Sequence, residues 1–131
     1  MMDIFFTDPS EVPLPPDEVR VLDLKIEPYP DGRRLRVLVE LTPFQKNPHG
    51  DIVITNQNGE PVSTASFVEA ITPRFEMTLH LRSIDAEGRY MATLTLFYSE
   101  EVEDEKRGDQ VLVRPEKHIV DEAVINFELA Q

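Results

Sequence analysis

Two neighbouring segments of the chain alternate strictly between hydrophobic and polar residues. In the first, apolar side chains occupy every odd position from Phe75 to Leu81, and in the second they occupy every even position from Tyr90 to Tyr98. Successive side chains of a strand point to opposite faces, so each segment has one apolar face and one mostly polar face. An amphipathic helix would instead repeat its apolar residues at intervals of three and four. The pattern therefore predicts two strands of a packed sheet.

Five further strands are predicted, and all but the fourth of them show apolar residues at a period of two. In the first of them Val19 and Val21 are out of phase with the later apolar residues, which predicts a bulge or a switch of sheet near Val21. The fourth is rich in Ser and Thr, which favours an edge position. The predicted strands and their inward residues are 18–27 with Leu22, Leu24 and Ile26; a second strand with Leu35, Val37, Val39 and Leu41; 51–56 with Ile52 and Ile54; 61–69; and 116–130 with Ala123, Ile125, Phe127 and Leu129.

Turn residues separate these strands. Asn58-Gly59 is the strongest hairpin signal in the chain and predicts a type I′ turn, in which both central residues have a positive φ. Residues 28–32, with the sequence PYPDG, predict a turn in which the glycine supplies the positive φ. Short strands joined by such turns, with no convincing helical period between them, are typical of an all-β protein.

The segment before the Tyr90 strand, residues 85–92 with the sequence DAEGRYMA, resembles the start of strand F in immunoglobulin-like and fibronectin type III-like sandwiches. There a Gly or Ala precedes a Tyr by two residues, and a Cys or small apolar residue follows it by two. The resemblance implies that the Tyr90 ring packs under the corner between strands E and F, its hydroxyl bonded to the backbone upstream, and that Ala92 replaces the second cysteine. The chain has no disulfide and no Trp, which departs from the family pattern. An ordinary β-hairpin entered through a Gly-containing turn is the alternative.

In this interpretation the fold is all-β, a seven-stranded antiparallel Greek-key sandwich of immunoglobulin/fibronectin type III-like type. Its strands are A, B, C, C′, E, F and G, and sheet ABE faces sheet C′CFG. A jelly roll or a small barrel would fit the same strand count. We expect residues 18–131 to form one domain and residues 1–17 to form a Pro-rich extended arm. The spacing Pro13-Leu14-Pro15-Pro16 is that of ligands for aromatic-lined grooves, but acidic residues follow it, and a stiff lead-in to the first strand is favoured.

Net charge, cysteine content and the N-terminal sequence each argue against certain classes of function. The net charge of −12 argues against binding to nucleic acid or to anionic membranes, because both require basic side chains. No cysteine is present, so thiolate chemistry and thiolate metal sites are excluded. The N-terminal sequence has no secretory signal pattern, and a cytoplasmic location is expected.

The predicted connection between the last two strands, residues 100–117, is long and acidic, which predicts a flexible display loop. Carboxylates are the ligands that Ca²⁺ favours, so Glu101, Glu103, Asp104 and Asp109 are candidate metal ligands, although no Asp-x-Asp-x-Asp-Gly pattern is present. Val111-Leu112-Val113 predicts a short extra strand that extends the hairpin. Arg107-Gly108-Asp109 is the tripeptide that the integrin-binding fibronectin type III module displays in the same loop, but no export signature accompanies it.

Signatures of catalysis are weak. The histidines His49, His80 and His118 are spread along the chain, and no Gly-x-Ser-x-Gly motif or Gly-rich phosphate loop is present. A basic spot at Arg33, Arg34 and Arg36 either anchors an acidic partner or protects a strand edge from aggregation. No cofactor is expected.

Three interpretations of function remain. The first is a non-catalytic interaction module that contacts another protein, or itself as a homodimer, through an edge strand or the Pro-rich arm. The second is a module that binds Ca²⁺ or carbohydrate with the loops at one end of the sandwich. The third is an enzyme with a site around His49, Asp51 and His118.

Overall fold

The computed structural model of the protein describes the backbone of residues 12–82, 88–107 and 110–129, with side chains described outside residues 101–115. Seven antiparallel strands form two sheets, with the strand orders β1-β2-β5 and β4-β3-β6-β7. The predicted sheets ABE and C′CFG have this same order, so the predicted seven-stranded sandwich is confirmed. No helix in these residues is long and apolar enough to cross a membrane. The strands are β1 Val21–Pro28, β2 Arg34–Leu41, β3 His49–Asn56, β4 Pro61–Phe67, β5 Arg74–His80, β6 Gly88–Arg107 and β7 Gln110–Leu129.

The core lies between the two sheets and is built from the alternating residues of the central strands. Because the side-chain period of a strand is two, each central strand contributes every second residue to it. The buried set contains the predicted inward residues of β2, β3 and β6, and β7 adds half-buried residues at its edge. Residues no more than 1% exposed are Val19, Leu35, Val37, Val39, Leu41, Ile52, Ile54, Ala92, Leu94 and Leu96.

β1 begins with an irregularity that changes which residues face the core. Its register with β2 shifts between Val21 and Asp23, so the predicted bulge is confirmed. The inward position predicted for Leu22 is wrong, because its side chain is 56% exposed while Val19 is fully buried. A bulge adds one residue to the strand and exchanges its inward and outward positions. Leu24, beyond the bulge, is buried as predicted.

The hairpin between β3 and β4 has a different turn from the predicted one. Only Gly59 of the Asn58-Gly59 pair has a positive φ, at 79°, so the type I′ prediction is wrong. The Gly59 amide donates to the Asn56 carbonyl, and the Asn56 amide donates to the Glu60 carbonyl, which leaves a three-residue loop. The Asn56 side-chain oxygen accepts hydrogen bonds from the amides of Asn58 and Glu60 and stabilises this longer loop.

The Pro-rich segment is docked on the sandwich from Val12 onward. Leu14 forms a parallel bridge with Phe44, and its amide donates to the Pro43 carbonyl at 3.1 Å. A 3₁₀ turn, Pro16–Glu18, follows, where the prediction placed the end of an extended arm over residues 1–17. Residues 1–11 of that predicted arm lie outside the described residues. Proline fits the first position of such a turn because its missing amide would have no partner there.

Two contacts of β7 lie at the two ends of the four-stranded sheet. Tyr90, at the start of β6, is buried as predicted, and its ring stacks on Phe127 of β7 with centroids 5.6 Å apart. At the other end the Val21 amide donates to Asp121 Oδ2 at 2.8 Å, which links the edge of β1 to β7. The hydrogen bond from Val21 to Asp121 therefore ties the two sheets in addition to the core, whereas the Tyr90 stack joins two strands of one sheet.

Candidate interaction surface

β6 and β7 continue as a two-stranded ribbon past the rest of their sheet. The pairing of β3 with β6 ends at His49 opposite Phe97, whereas the pairing of β6 with β7 runs on to Arg107 opposite Gln110. We call residues 98–107 and 110–118 the ribbon. Its ten β6 residues correspond to roughly 30 Å at about 3.3 Å per residue. In the described chain, the outer edge of β6 in the ribbon has no strand beside it.

The prediction of a flexible loop at residues 100–117 is therefore wrong, because residues 100–107 and 110–117 lie in β6 and β7. The residues form a ladder, in which Glu101 lies opposite Pro115 and Glu103 opposite Val113. The extra strand predicted at Val111-Leu112-Val113 is confirmed as part of β7. Acidic composition predicted a solvated loop, but the backbone of these residues pairs as strands.

The candidate calcium ligands are distributed along this ribbon. Glu101, Glu103 and Asp104 lie in β6, and Asp109 lies outside the described residues, as does the Gly-Asp part of the Arg107-Gly108-Asp109 tripeptide. The calcium prediction stays a prediction. Among the side chains that the structure describes, no three His, Asp or Glu residues gather into a group that could hold a metal ion.

Charge is segregated along the open β6 strand of the ribbon. Residues 100–105 contain five carboxylates, and Lys106 and Arg107 end the strand with two positive charges. The strand opposite them has the apolar run Val111-Leu112-Val113. The open edge is thus acidic near the sandwich and basic at the far end.

A second polar cluster lies on the outer face of the four-stranded sheet. Asp51 of β3 accepts a hydrogen bond from Lys117 Nζ at 2.9 Å and another from Ser66 Oγ at 2.7 Å. The Lys117 ammonium, and after it the Ser66 hydroxyl, holds the pKa of Asp51 below its ordinary value. The same ammonium lies 4.4 Å from the centre of the Phe97 ring. Both oxygens of Asp51 are therefore engaged.

The histidines predicted to join Asp51 are not assembled around it. His118 Nε2 lies 3.3 Å from Asp17 Oδ1, because neighbouring residues of a strand face opposite ways and Lys117 occupies the Asp51 side. His49 Nδ1 accepts a hydrogen bond from the Glu69 amide at 3.1 Å. The proposed cluster of His49, Asp51 and His118 does not form.

The basic spot is largely neutralised by the protein's own carboxylates. Arg36 pairs with Glu76 at 2.6 Å and with Glu27 at 3.4 Å, and the bond to Glu76 raises the pKa of Arg36. Arg34 pairs with Asp31 at 2.7 Å. Two of the three arginines are thus engaged within the molecule, on the outer face of the three-stranded sheet and at its turn.

The loop between β4 and β5 exposes apolar side chains that sequence reasoning missed. Val68 is 72% exposed and Ile71 87% exposed, beside an open cleft of about 460 Å³ that Phe67 and Phe75 also line. The Ala70 amide donates to the Pro48 carbonyl, so the loop is fixed to the body of the sandwich. The surface is apolar, but no contact in the described structure identifies what covers it.

Comparison with protein-family models and with curated proteins yields no match. Among solved structures, the chain is similar to a glycosyl hydrolase family 2 member from Bacteroides cellulosilyticus, with a TM-score of 0.51 and 15% identity over 84% of this chain. A second such member from that organism has a TM-score of 0.48 and 13% identity over 84% of this chain. A β-glucuronidase from Ruminococcus gnavus has a TM-score of 0.45 and 15% identity over 86%. The chain spans 14 to 16% of the length of these proteins, and the likeness concerns the fold.

Proposed function

We propose that this chain is a non-catalytic β-sandwich module that contacts another protein chain through the open β6 edge of the ribbon. The observation that carries the proposal is the end of β3 pairing at Phe97, after which ten residues of β6 have β7 as their one strand neighbour in the described chain. Unpaired amides and carbonyls of an edge strand form a template for a strand of another chain. A two-stranded ribbon is marginally stable in water, so an added strand stabilises it.

The proposal includes an immunoglobulin/fibronectin type III-like assignment of the sandwich. The strand orders of the two sheets support it, and so does the buried Tyr90 two residues before the fully buried Ala92. Such sandwiches carry different functions on their edges and loops, so the contact surface is argued from the ribbon and not from the fold.

The engagement of the polar side chains supports the non-catalytic part. Asp51 is held by Lys117 and Ser66, and His118 lies beside Asp17, away from Asp51. A general base needs a free position within hydrogen-bond reach of its substrate, and a carboxylate with both oxygens bonded and a lowered pKa is a poor one.

Site-specific photo-crosslinking tests the proposal. A benzophenone amino acid at Val102 of β6 is compared with the same residue at Lys25, which is exposed on the outer face of the other sheet. In the cells that naturally express the chain, we expect covalent adducts from position 102 and few from position 25. Adduct yields from position 102 no higher than those from position 25 would refute contact through the ribbon.

A carbohydrate ligand at the Phe97 cluster is the second candidate. The ring of Phe97 has the Lys117 ammonium and the His49 ring beside it, at 4.4 and 5.5 Å between centres. An apolar ring bordered by a few polar groups suits a small polar ligand. Calorimetric titration with a panel of neutral and acidic oligosaccharides tests this candidate, with Phe97→Ala as the variant and Tyr29→Ala as the control. It is rejected if no sugar binds the native protein, or if Phe97→Ala binds equally well.

The calcium half of the same alternative has a separate test. The melting temperature is measured with added Ca²⁺ and again after a chelator is added. If Glu101, Glu103 and Asp104 bind the ion, the melting temperature rises with Ca²⁺ and returns with the chelator, because ligands that bind the folded state stabilise it. If neither Ca²⁺ nor the chelator changes the melting temperature, the protein does not bind calcium at the concentration used.

A further inference from the structure

We propose that the partner strand of the ribbon is the β6 strand of a second copy of this chain, paired antiparallel across a two-fold axis at Glu103. This inference rests on the proposed function and names its partner. In a two-fold contact the same surface meets itself, so every residue pair occurs twice. The alignment of the two β6 strands follows from the position of the open backbone edge and from the order of charges along β6.

The length of open edge fits this register. Centring the axis on residue 103 pairs residues 100–107 of one copy with residues 107–100 of the other, because residues 104 and 105 together occupy one position of the strand. The open stretch of β6 begins at Tyr98, because the last β3 partner, His49, lies opposite Phe97. The partner strand therefore fits beyond β3 without displacing it. Two ribbons of two strands become one four-stranded antiparallel sheet, which meets the usual minimum for independent stability.

The charges complement each other in this register. Glu100 of each copy lies opposite Arg107 of the other, and Glu101 lies opposite Lys106, which gives four pairs of opposite charge by symmetry. Opposite charges directly across an antiparallel pair stabilise it, and like charges destabilise it. At the centre Glu103 lies opposite Glu103 of the other copy, and this contact is unfavourable and limits the affinity. A shift by one residue either way leaves two favourable pairs in place of four.

An irregularity of β6 brings these residues into phase. Glu103 pairs with Val113 and Lys106 with Val111, so β6 carries one extra residue between them. An extra residue reverses which positions present their amides to a given edge. Two identical edges pair only when opposed residues are in the same phase, so that both present their amides to the partner or both turn them away. Residues 100 and 107 have opposite parity, and the extra residue between them gives them the same phase.

Two charge-reversal variants test the register. Lys106→Glu/Arg107→Glu makes all four outer pairs acidic in a homodimer, and Glu100→Lys/Glu101→Lys makes all four basic. In a one-to-one mixture, every one of those pairs is again between opposite charges. Sedimentation equilibrium on the 15.0 kDa chain measures association from micromolar to millimolar concentration. We expect the native protein to dimerise, each variant alone to associate at least about tenfold more weakly, and the mixture to regain dimers.

Two controls separate the register from net charge and from misfolding. Lys25→Glu/Arg33→Glu makes the same change in net charge as the acidic ribbon variant but lies off the ribbon, and we expect it to dimerise like the native protein. Thermal unfolding monitored by circular dichroism confirms that each variant is folded. The basic ribbon variant lowers the overall negative charge, so its loss of association cannot come from general repulsion.

The outcomes also separate this inference from the proposed function. A monomeric mass at every concentration overturns self-pairing, as does a mixture that fails to regain dimers. If position 102 nevertheless forms adducts with a different protein, contact through the ribbon stands and only the identity of the partner falls. If position 102 forms no adducts above the control, both fall.

Discussion

The hydroxyl of Tyr98 donates a hydrogen bond of 2.8 Å to the backbone carbonyl of Lys46, 52 residues earlier in the chain. Tyr98 is 2% exposed and is the first residue of β6 beyond the last β3 partner. The bond therefore fixes the ribbon to the sandwich at the point where the ribbon begins. A buried carbonyl that loses its donor retains its desolvation cost.

We expect Tyr98→Phe to lower the free energy of unfolding by about 1–2 kcal/mol, because it leaves the Lys46 carbonyl without this donor. Urea denaturation measures the change. Tyr29→Phe is the matched control, since the Tyr29 hydroxyl makes a long, exposed contact of 3.5 Å with Thr78. Equal effects of the two substitutions would contradict an anchoring role for Tyr98.

The same tyrosine predicts a loss of stability in alkali. Burial raises the pKa of Tyr98, so the folded protein holds the phenol proton more tightly than the unfolded chain does. Its contribution is fully present below the unfolded pKa of about 10 and is lost as the pH rises through the folded pKa. Unfolding free energies between pH 9 and about pH 11 should fall more steeply for the native protein than for Tyr98→Phe. Parallel curves would show that this phenol does not contribute.

Tyr90→Ala should destabilise the protein by about 3–5 kcal/mol, the usual cost of removing a buried aromatic side chain. The ring is 4% exposed and stacks on Phe127, so its loss opens a cavity between β6 and β7. The denaturation midpoint measures the effect, with Tyr29→Ala as the comparison. An unchanged midpoint would contradict the prediction that the Tyr90 ring packs under the corner between the two strands.

Gly50→Ala should destabilise by about 1–3 kcal/mol, the range for overpacking. Gly50 pairs with Phe67 across β3 and β4, and a methyl group there would overlap the Phe67 ring. That ring makes an edge contact with Phe75, with centroids 4.8 Å apart, so it cannot move without loss. Phe67→Leu in the Gly50→Ala background should recover part of the loss, and strict additivity of the two substitutions would contradict the overlap.

The Asp51–Lys117 pair predicts a loss of stability in acid. Lys117 and Ser66 lower the pKa of Asp51, so its contribution is present above the unfolded pKa of about 4 and is lost as the pH falls through the folded value. The pair is partly exposed, so a double-mutant cycle with Asp51→Asn and Lys117→Met should give about 0.5–1 kcal/mol at neutral pH. The looser pair of Asp23 and Lys25, 3.8 Å apart, serves as control. Equal coupling energies in the two cycles would argue against a special role for Asp51.

Local pattern was enough to predict most of the fold, because alternation is a property of neighbouring residues. The inward position predicted for Leu22 was wrong because the sequence alone predicts a bulge in this region but not the residue at which it occurs. The turn at Asn58-Gly59 was misjudged because the side chain of Asn56 stabilises a longer loop. In both cases the local geometry depends on residues that lie outside the repeating hydrophobic pattern.

The candidate site was harder to predict, because it depends on contacts between distant residues. Lys117 and Asp51 are 66 positions apart, and only the register of three strands brings them together. The ribbon was not predicted because residues 100–107 have the composition of a solvated loop, although Val111-Leu112-Val113 indicated a short strand. No single-sequence feature fixed the residue at which β3 stops pairing with β6.

The hydrogen bond from the Val21 amide to Asp121 has a consequence for synthesis on the ribosome. The donor is among the first residues of the sandwich to emerge, and its acceptor emerges 100 positions later. Sheet β1-β2-β5 can assemble from residues that precede Asp121, but the bond from its outer strand to β7 forms only after Asp121 has been translated. Because contacts between residues far apart in the chain are slow to form, we expect this link between the two sheets to form late in folding.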